Sequence, residues 1–168
     1  IGTQFLLPVL CRYGYVDTAY RILQQDTYPS WRNMLSYGQT TITEAWNTCY
    51  ETGDGTYAVN GSMNHFGLGT VGQWLYSDVL GIKRDLDNPG YKHFYIEPQV
   101  GGGLTHVSGS YESVYGTIES GWRLEGSELV FTFVIPPNTT ATVTLPDPQY
   151  QNMALAAGAY EYRIALNQ

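Results

Sequence analysis

The sequence has 168 residues, enough for one ordinary domain or two small ones, and its 43% of apolar residues supports a buried core. Charged residues make up only 14%, the net charge is −7, and the eight Lys and Arg residues form no basic stripe, which argues against nucleic acid and anionic membrane surfaces as partners. No apolar run is long enough to span a bilayer.

The two cysteines, Cys11 and Cys49, belong to no CxxC or Cys/His pattern, so we expect no metal site and no cofactor. Two free thiols are the expected state, with a single disulfide as the alternative. The 15 tyrosines are read mainly as β-sheet residues, although tyrosine rings also stack on sugars. Because the chain begins without Met and without a signal-peptide pattern, we expect its start to lie inside a longer protein, whose location, cytoplasmic or secreted, the sequence leaves unknown.

Residues 1–27 are predicted to form two helices. Apolar side chains repeat at helical spacing in each of them, first Phe5, Leu6, Val9 and Leu10, then Val16, Ala19, Tyr20 and Leu23. Gly14 separates the two helices, Asp17 is placed to cap the second, and Pro8 marks either a first turn or a kink. The pair is not a domain by itself, because its apolar faces need further helices to pack on.

Residues 28–64 show no clean period and include a polar, glycine-rich loop, which is typical of a functional segment when it lies inside a compact domain. Residues 65–80 are predicted to form a helix that ends at Gly81. Its three glycines lower helix propensity and indicate close packing against a neighbour or a ligand; they are Gly67, Gly69 and Gly72.

The composition becomes β-like after the turn at residues 87–90, so the domain boundary is placed near residue 90, with one domain over 1–90 and the other over 91–168. The predicted strands cover residues 93–97, 104–111, 115–124, 128–135, 140–145 and 159–166. Strands at this spacing predict an all-antiparallel sandwich. The strict alternation in the fourth strand points four side chains inward: Leu129, Phe131, Phe133 and Ile135.

Glu44 is the first candidate functional residue. It lies in GQTTITEAW, an almost charge-free and aromatic-rich stretch where the pKa of a carboxylate can be tuned. From spacing alone, a surface glutamate or the partner of Thr41 in a Thr-x-x-Glu capping box fits at least as well.

His65 is the second candidate, because a histidine at the start of a helix can hydrogen-bond a ligand hydroxyl; the alternative is a packed side chain with its own partners. Trp31, Trp46 and Trp74 are candidates for stacking on a sugar, with burial in the core as the alternative. The segment Gly67–Gly72 approaches a GxGxxG pattern but follows no strand, so a dinucleotide site is not expected.

Several motifs occur together in a defined order: YPSW, GQTTITEAWN, SMNHFGLGTVGQWLYSDVLGI, PGYKHFYIEPQVGGGL, YGTIESGW and IPPNTTATVTLP. In that order, over nearly the whole chain, they resemble the C-terminal third of bacterial α-L-rhamnosidases of the inverting, (α/α)6-barrel type. The resemblance implies the last helices of such a barrel followed by a β-sandwich. It also implies hydrolysis of α-L-rhamnosides with inversion, and a rhamnose-containing glycoside as substrate.

The resemblance gives roles to individual residues. Thr40–Glu44 matches the Thr-Thr-x-x-Glu segment that supplies the general base, which makes Glu44 the base, and His65 matches the histidine that contacts rhamnose. Relatives usually carry Trp just before that glutamate, where this chain has Thr43, so the shape of the sugar pocket is expected to differ. No stretch matches the segment that supplies the general acid, so the missing upstream part of the same polypeptide is an expected partner, and the chain alone is expected to be inactive.

Two alternatives to this function stay open. The chain is either a β-sandwich module with attached helices that binds carbohydrate or braces a barrel without catalysis, or part of another (α/α)6 glycosidase. Self-association is also expected, because the helical part would expose apolar surface when it is alone. Convergence of Glu44 and His65 on one cavity would favour the enzymatic interpretation.

Overall fold

The computed structural model describes residues 2–166, which divide into two compact units on either side of the Trp74–Leu75 bond. The first unit is mostly helical and irregular, and the second consists mostly of β-strands. Among residues 2–166, no helix is both long and apolar enough to cross a membrane.

The first unit contains five helices and one hairpin: α1 (Thr3–Arg12), α2 (Val16–Gln24), α3 (Trp31–Ser36), β1 (Cys49–Glu51), β2 (Tyr57–Val59), α4 (Phe66–Gly69) and α5 (Val71–Trp74). The two helices predicted over residues 1–27 are confirmed. Pro8 lies in the middle of α1 rather than in its first turn, and the helix continues through it to Arg12. The stretch expected to be irregular holds the short helix α3, whose N-terminus is capped by the Ser30 hydroxyl, and the β1–β2 hairpin.

The core of the first unit forms where α1 packs on α2, α4 and α5. Trp74 is almost fully buried; its indole N–H donates to Cys11 Sγ at 3.2 Å, and its ring meets the edge of Tyr20 at 5.2 Å between centroids. Cys11 and Cys49 are both buried free thiols, as expected from the sequence. The opposite side of α1 exposes a second set of apolar side chains: Phe5, Leu6 and Val9.

The second unit opens with a π-helical turn, Leu75–Val79, and continues with eight strands and a short 3-10 helix. These elements are β3 (Ile82–Arg84), β4 (His93–Ile96), β5 (His106–Ser113), β6 (Gly116–Glu125), β7 (Glu128–Ile135), β8 (Thr140–Val143), the 3-10 helix Pro148–Tyr150, β9 (Met153–Leu155) and β10 (Gly158–Ala165). The helix predicted over residues 65–80 is therefore broken into α4, α5 and the π turn. Gly67 and Gly69 lie inside α4 and Gly72 lies inside α5, whereas the interruption falls at Thr70 and the π turn contains no glycine.

Two four-stranded sheets make up the sandwich, with strand orders β10-β7-β6-β5 and β3-β4-β8-β9. All pairings in the first sheet are antiparallel, as predicted. In the second sheet the prediction of an all-antiparallel sandwich is wrong at one place, because β4 and β8 run parallel, with His93 opposite Thr140 and Ile96 opposite Val143. Strands that are distant in the sequence can pair in this way, and alternation within a strand carries no information on strand direction.

The core of the sandwich lies between its two sheets. Leu129, Phe131, Phe133 and Ile135 are all buried there, as their alternation predicts, and they pack with Trp122. The core also includes the chain just before the predicted boundary at residue 90. Ser120 Oγ donates to the Leu80 carbonyl at 2.6 Å, the Trp122 indole N–H donates to the Val79 carbonyl at 3.3 Å, and β3 pairs with β4. The compact unit consequently begins well before residue 90.

The outward face of the first sheet carries an ion-pair network over a buried valine. Val130 is 0% exposed although it points away from the core, because Arg123 and Arg163 flank it on the two neighbouring strands. Arg163 pairs with Glu125 at 2.9 Å and with Glu128 at 3.2 Å. Hydrogen bonds from Arg123, which contributes most, and from Arg163 lower the pKa of the Glu125 carboxyl.

Candidate active site

Two irregular segments of the first unit, 41–44 and 62–65, run side by side. The Glu44 N–H donates to the Ser62 carbonyl at 2.9 Å, and the His65 N–H donates to the Ile42 carbonyl at 2.9 Å. The Thr41 hydroxyl adds a bond to the Met63 carbonyl. Glu44 and His65, the two principal candidates, are therefore held on adjacent stretches of backbone.

The Glu44 side chain is exposed, and one of its oxygens is held by the backbone of the facing segment. The Ser62 N–H donates to Glu44 Oε2 at 3.2 Å. The capping-box alternative is wrong, because no helix begins near Thr41, whose hydroxyl bonds to the Met63 carbonyl instead. Sequence reasoning missed the role of Ser62, although the Asn-Gly-Ser turn in front of the histidine was a visible signal for a tight bend.

Thr48 links the two sides of this arrangement. It is 1% exposed; its hydroxyl accepts the Ala45 N–H at 3.1 Å, and its carbonyl accepts the Asn60 N–H at 2.8 Å. The β1–β2 hairpin, which pairs Cys49 with Val59, closes the chain between residues 48 and 60. Because its hydroxyl and its carbonyl are both hydrogen-bonded, the buried Thr48 fixes the path by which the chain returns to Glu44.

The tip of the hairpin is ordered by Asp54. Its carboxylate accepts bonds from the Thr52 hydroxyl, the Thr56 hydroxyl at 2.6 Å and the Thr56 N–H at 3.0 Å. These bonds lower the pKa of Asp54 to about 2, and the bond from the Thr52 hydroxyl makes the largest contribution. The polar, glycine-rich loop is thus the hydrogen-bonded end of a hairpin.

His65 caps the helix that it precedes. Its backbone is extended, and its Nδ1 accepts the Gly67 N–H at 2.9 Å. Because Nδ1 is the acceptor, the neutral imidazole carries its proton on Nε2 and presents an N–H donor there. The ring stacks on Phe66, with centroids 4.7 Å apart and an interplanar angle of 20°, and Phe66 itself is 75% exposed.

The candidate tryptophans differ in exposure, and Trp74 is buried in the core of the first unit. Trp31 is 6% exposed and its indole N–H donates to the Leu68 carbonyl at 3.0 Å, so it is a packed residue in this structure. Trp46 is half-buried and meets Trp31 edge to face, with centroids 5.1 Å apart. Thr43, just before Glu44, is buried, and its hydroxyl donates to the Ala45 carbonyl at 3.0 Å.

Two further features were compared with the candidate site: groups of metal-ligating side chains, and a groove on the sandwich. Within residues 2–166, no three or more His, Cys, Asp or Glu side chains are grouped to hold a metal ion. A groove of about 620 Å³ lies on the outward face of the first sheet of the sandwich, lined in part by Glu119, Thr132 and Glu161. It contains none of the candidate residues.

Comparison with protein families assigns both halves of the chain. Residues 1–79 match the model of the bacterial α-L-rhamnosidase six-hairpin glycosidase domain, and residues 81–159 match the model of the bacterial α-L-rhamnosidase C-terminal domain. The two matches meet near residue 80, ahead of the boundary near residue 90 that the composition indicates.

Individual relatives agree with this assignment. An α-L-rhamnosidase of Streptomyces avermitilis is 37% identical over 146 residues, which is 87% of this chain and 14% of that protein. The structure of the native α-L-rhamnosidase from Aspergillus terreus superimposes with a TM-score of 0.86 at 32% identity, over 97% of this chain and 19% of that one. The Streptomyces avermitilis α-L-rhamnosidase complexed with L-rhamnose gives a TM-score of 0.84 at 30% identity, over 97% and 17%.

In each of these three matches the chain spans less than a fifth of the relative's length. The two family models assign one identity to both units, and the fold agrees with it. The chain belongs to the bacterial α-L-rhamnosidase family, as the end of its six-hairpin domain followed by its C-terminal domain.

Proposed function

We propose that the first unit supplies the general base and part of the sugar pocket of an inverting α-L-rhamnosidase whose remaining catalytic groups lie upstream in a longer polypeptide. The observation that carries this proposal is the pairing of segments 41–44 and 62–65 by two backbone hydrogen bonds, which brings Glu44 and His65 together. Membership of the family supports the reaction class, and the share of the relatives that the chain spans supports a larger polypeptide.

Inverting hydrolysis needs two carboxyl groups about 6.5–9.5 Å apart, one to protonate the leaving oxygen and one to activate water on the opposite face of the sugar. Glu44 takes the second role. It is exposed and has one oxygen, Oε1, without a hydrogen-bond partner among residues 2–166. That oxygen is free to accept a proton from water. The acid belongs to the upstream part of the barrel.

His65 is proposed to bind rhamnose through Nε2–H, the donor that its bond to Gly67 leaves available. A sugar hydroxyl accepts such a bond with its oxygen. Trp46 is proposed to stack on the sugar, since it is partly exposed, while the buried Trp31 contributes by holding the Trp46 ring edge to face. In this proposal Trp46 contacts the sugar and Trp31 positions Trp46.

The experiment is a substitution in the complete polypeptide, assayed on an aryl rhamnoside with a good leaving group. Glu44→Gln keeps the size and shape of the side chain but cannot accept a proton, so kcat is expected to fall by about 10²-fold or more with little change in KM. Azide or formate is expected to restore part of the turnover by replacing the activated water. Glu51→Gln, at an exposed glutamate of the β1–β2 hairpin, is the matched control and should keep its rate. A folded Glu44→Gln enzyme with near-normal kcat would contradict the proposal.

A further inference from the structure

We propose that the backbone amide of Ser62 is a positioning group for the general base, with Gly61 as the residue that makes its approach possible. The inference rests on the proposed function of Glu44 and adds a residue to it. The relevant contact is the Ser62 N–H to Glu44 Oε2 bond of 3.2 Å, which leaves Oε1 for the attacking water.

Two bonds of opposite direction join the same pair of residues. Glu44 N–H donates to the Ser62 carbonyl at 2.9 Å, and Ser62 N–H donates back to the Glu44 carboxylate. The first bond fixes the backbone of Glu44, and the second fixes the end of its side chain. An exposed glutamate otherwise samples several rotamers, so the second bond selects one orientation of the carboxylate.

The turn before Ser62 is shaped for close approach to this carboxylate. Gly61 has φ +112°, in the region that side-chain-bearing residues rarely adopt. A Cβ at this position would lie 3.4 Å from Glu44 Oε2 and 3.5 Å from Thr48 Oγ1, which are ordinary contacts, so the backbone conformation is what calls for glycine. The buried Thr48, which also accepts the Ala45 N–H, therefore backs the turn on the side away from solvent.

Orientation of the carboxylate matters for the proton transfer. In the attack, the water oxygen forms a bond to the anomeric carbon, its proton moves to Glu44 Oε1, and the glycosidic bond breaks as the leaving oxygen takes a proton from the upstream acid. The base must meet the water proton at hydrogen-bonding distance. A carboxylate held at Oε2 presents Oε1 to the water in a larger share of its conformations than a carboxylate that is not held.

The test uses the complete polypeptide and replaces the amide at residue 62 by an ester, through the α-hydroxy analogue of serine. This removes the N–H donor and keeps both the side chain and the Ser62 carbonyl that Glu44 N–H requires. On an aryl rhamnoside, kcat is expected to fall about 10-fold with KM within about twofold. An ester at Gly55, in the exposed hairpin loop, is the control for the chemistry and should keep kcat.

The same ester is also placed in a Glu44→Gln background, where it is expected to lower kcat no further, because the group it positions is already lost. Gly61→Ala is a second variant, expected to lower kcat about 10-fold at unchanged KM in a protein that remains folded by circular dichroism. If Glu44→Gln loses its rate but the ester leaves kcat unchanged, or lowers it equally in both backgrounds, the positioning role is overturned and the base assignment stands. If Glu44→Gln keeps its rate, both are overturned.

Discussion

His65 Nδ1 accepts the backbone N–H of Gly67 at 2.9 Å, so one imidazole nitrogen caps α4 while Nε2 takes no part in the cap. The same side chain serves helix stability through Nδ1 and, in our proposal, sugar binding through Nε2. The two contributions can be separated, because a shorter side chain is able to perform the first without the second.

His65→Asn and His65→Ala provide that separation in the complete polypeptide. Asn is a good N-cap, so its side-chain oxygen accepts the Gly67 N–H, whereas Ala does not. Both variants lose Nε2–H and are expected to lose about 1–3 kcal/mol in kcat/KM on an aryl rhamnoside. Only His65→Ala should also lower the melting temperature, by an amount that corresponds to about 1 kcal/mol. Full activity of His65→Asn would show that Nε2 contacts no substrate.

The purified 168-residue chain is expected to have no measurable turnover of an aryl rhamnoside. It supplies one proposed catalytic carboxylate, and inverting hydrolysis needs a second on the other face of the sugar. Addition of a separately produced upstream segment that completes the six-hairpin domain should restore activity, since α1 exposes Phe5, Leu6 and Val9 for further helices to cover. Robust turnover by the chain alone would mean that an acid within these residues has been overlooked.

Asp54 provides a pH-dependent prediction at the hairpin tip. Its folded pKa of about 2 lies below the ordinary value of 3.8, so its contribution to stability is fully present above pH 3.8 and is lost as the pH falls through about 2. A carbon-13 NMR titration of the Asp54 carboxyl should show that midpoint. Thr52→Val should raise it towards 3.8, because the largest of the bonds is lost, while Thr52→Ser keeps the hydroxyl and should leave it low. A wild-type midpoint near 3.8 would contradict the bonding described.

Gly81 joins the π-helical turn to β3, with φ +79°, and supplies a stability prediction for the second unit. A Cβ there would lie 2.3 Å from Pro98 N and 2.5 Å from the Glu97 carbonyl carbon, and neither backbone atom can move cheaply. Gly103 has a similar φ of +67° but nothing within 4 Å, so Gly103→Ala should cost only about 1–2 kcal/mol. Gly81→Ala is expected to lower the free energy of unfolding, measured in urea, by at least about 2 kcal/mol more than Gly103→Ala does. Equal losses of stability for the two substitutions would show that the backbone around Gly81 moves to accommodate the added methyl group.

Much of the fold was predictable, because burial imposes a period on the sequence. The alternation from Leu129 to Ile135 predicts both the strand and its inward face, since a strand half-buried in a sandwich must alternate. Helical spacing likewise predicts α1 and α2. The strands β3 and β9 were missed; each has three residues, too few to establish a period. The interruption at Thr70 and the π-helical end of this segment were not predictable, because the apolar stripe of a helix runs across both.

The candidate site was predictable in part. Resemblance to a family brings Glu44 and His65 forward, and the backbone bonds between their segments agree with a shared site. The hydrogen bond from Ser62 N–H to the Glu44 carboxylate was not predictable. It depends on a backbone amide, and every residue other than proline has one. The partial exposure of Trp46 and the burial of Trp31 were likewise not predictable. Both are tryptophans, and tertiary packing decides which of them is buried.

The parallel pairing of β4 with β8 has a consequence for the order in which the sandwich assembles. Residues 97–139 lie between the two strands and contain the whole β5–β6–β7 meander. Hairpin contacts form quickly, whereas a contact between distant residues must first overcome the entropy of closing the loop between them. During synthesis, a nascent chain that ends before Thr140 therefore leaves β4 with an unpaired edge, open to strands of other chains until β8 emerges and occupies it.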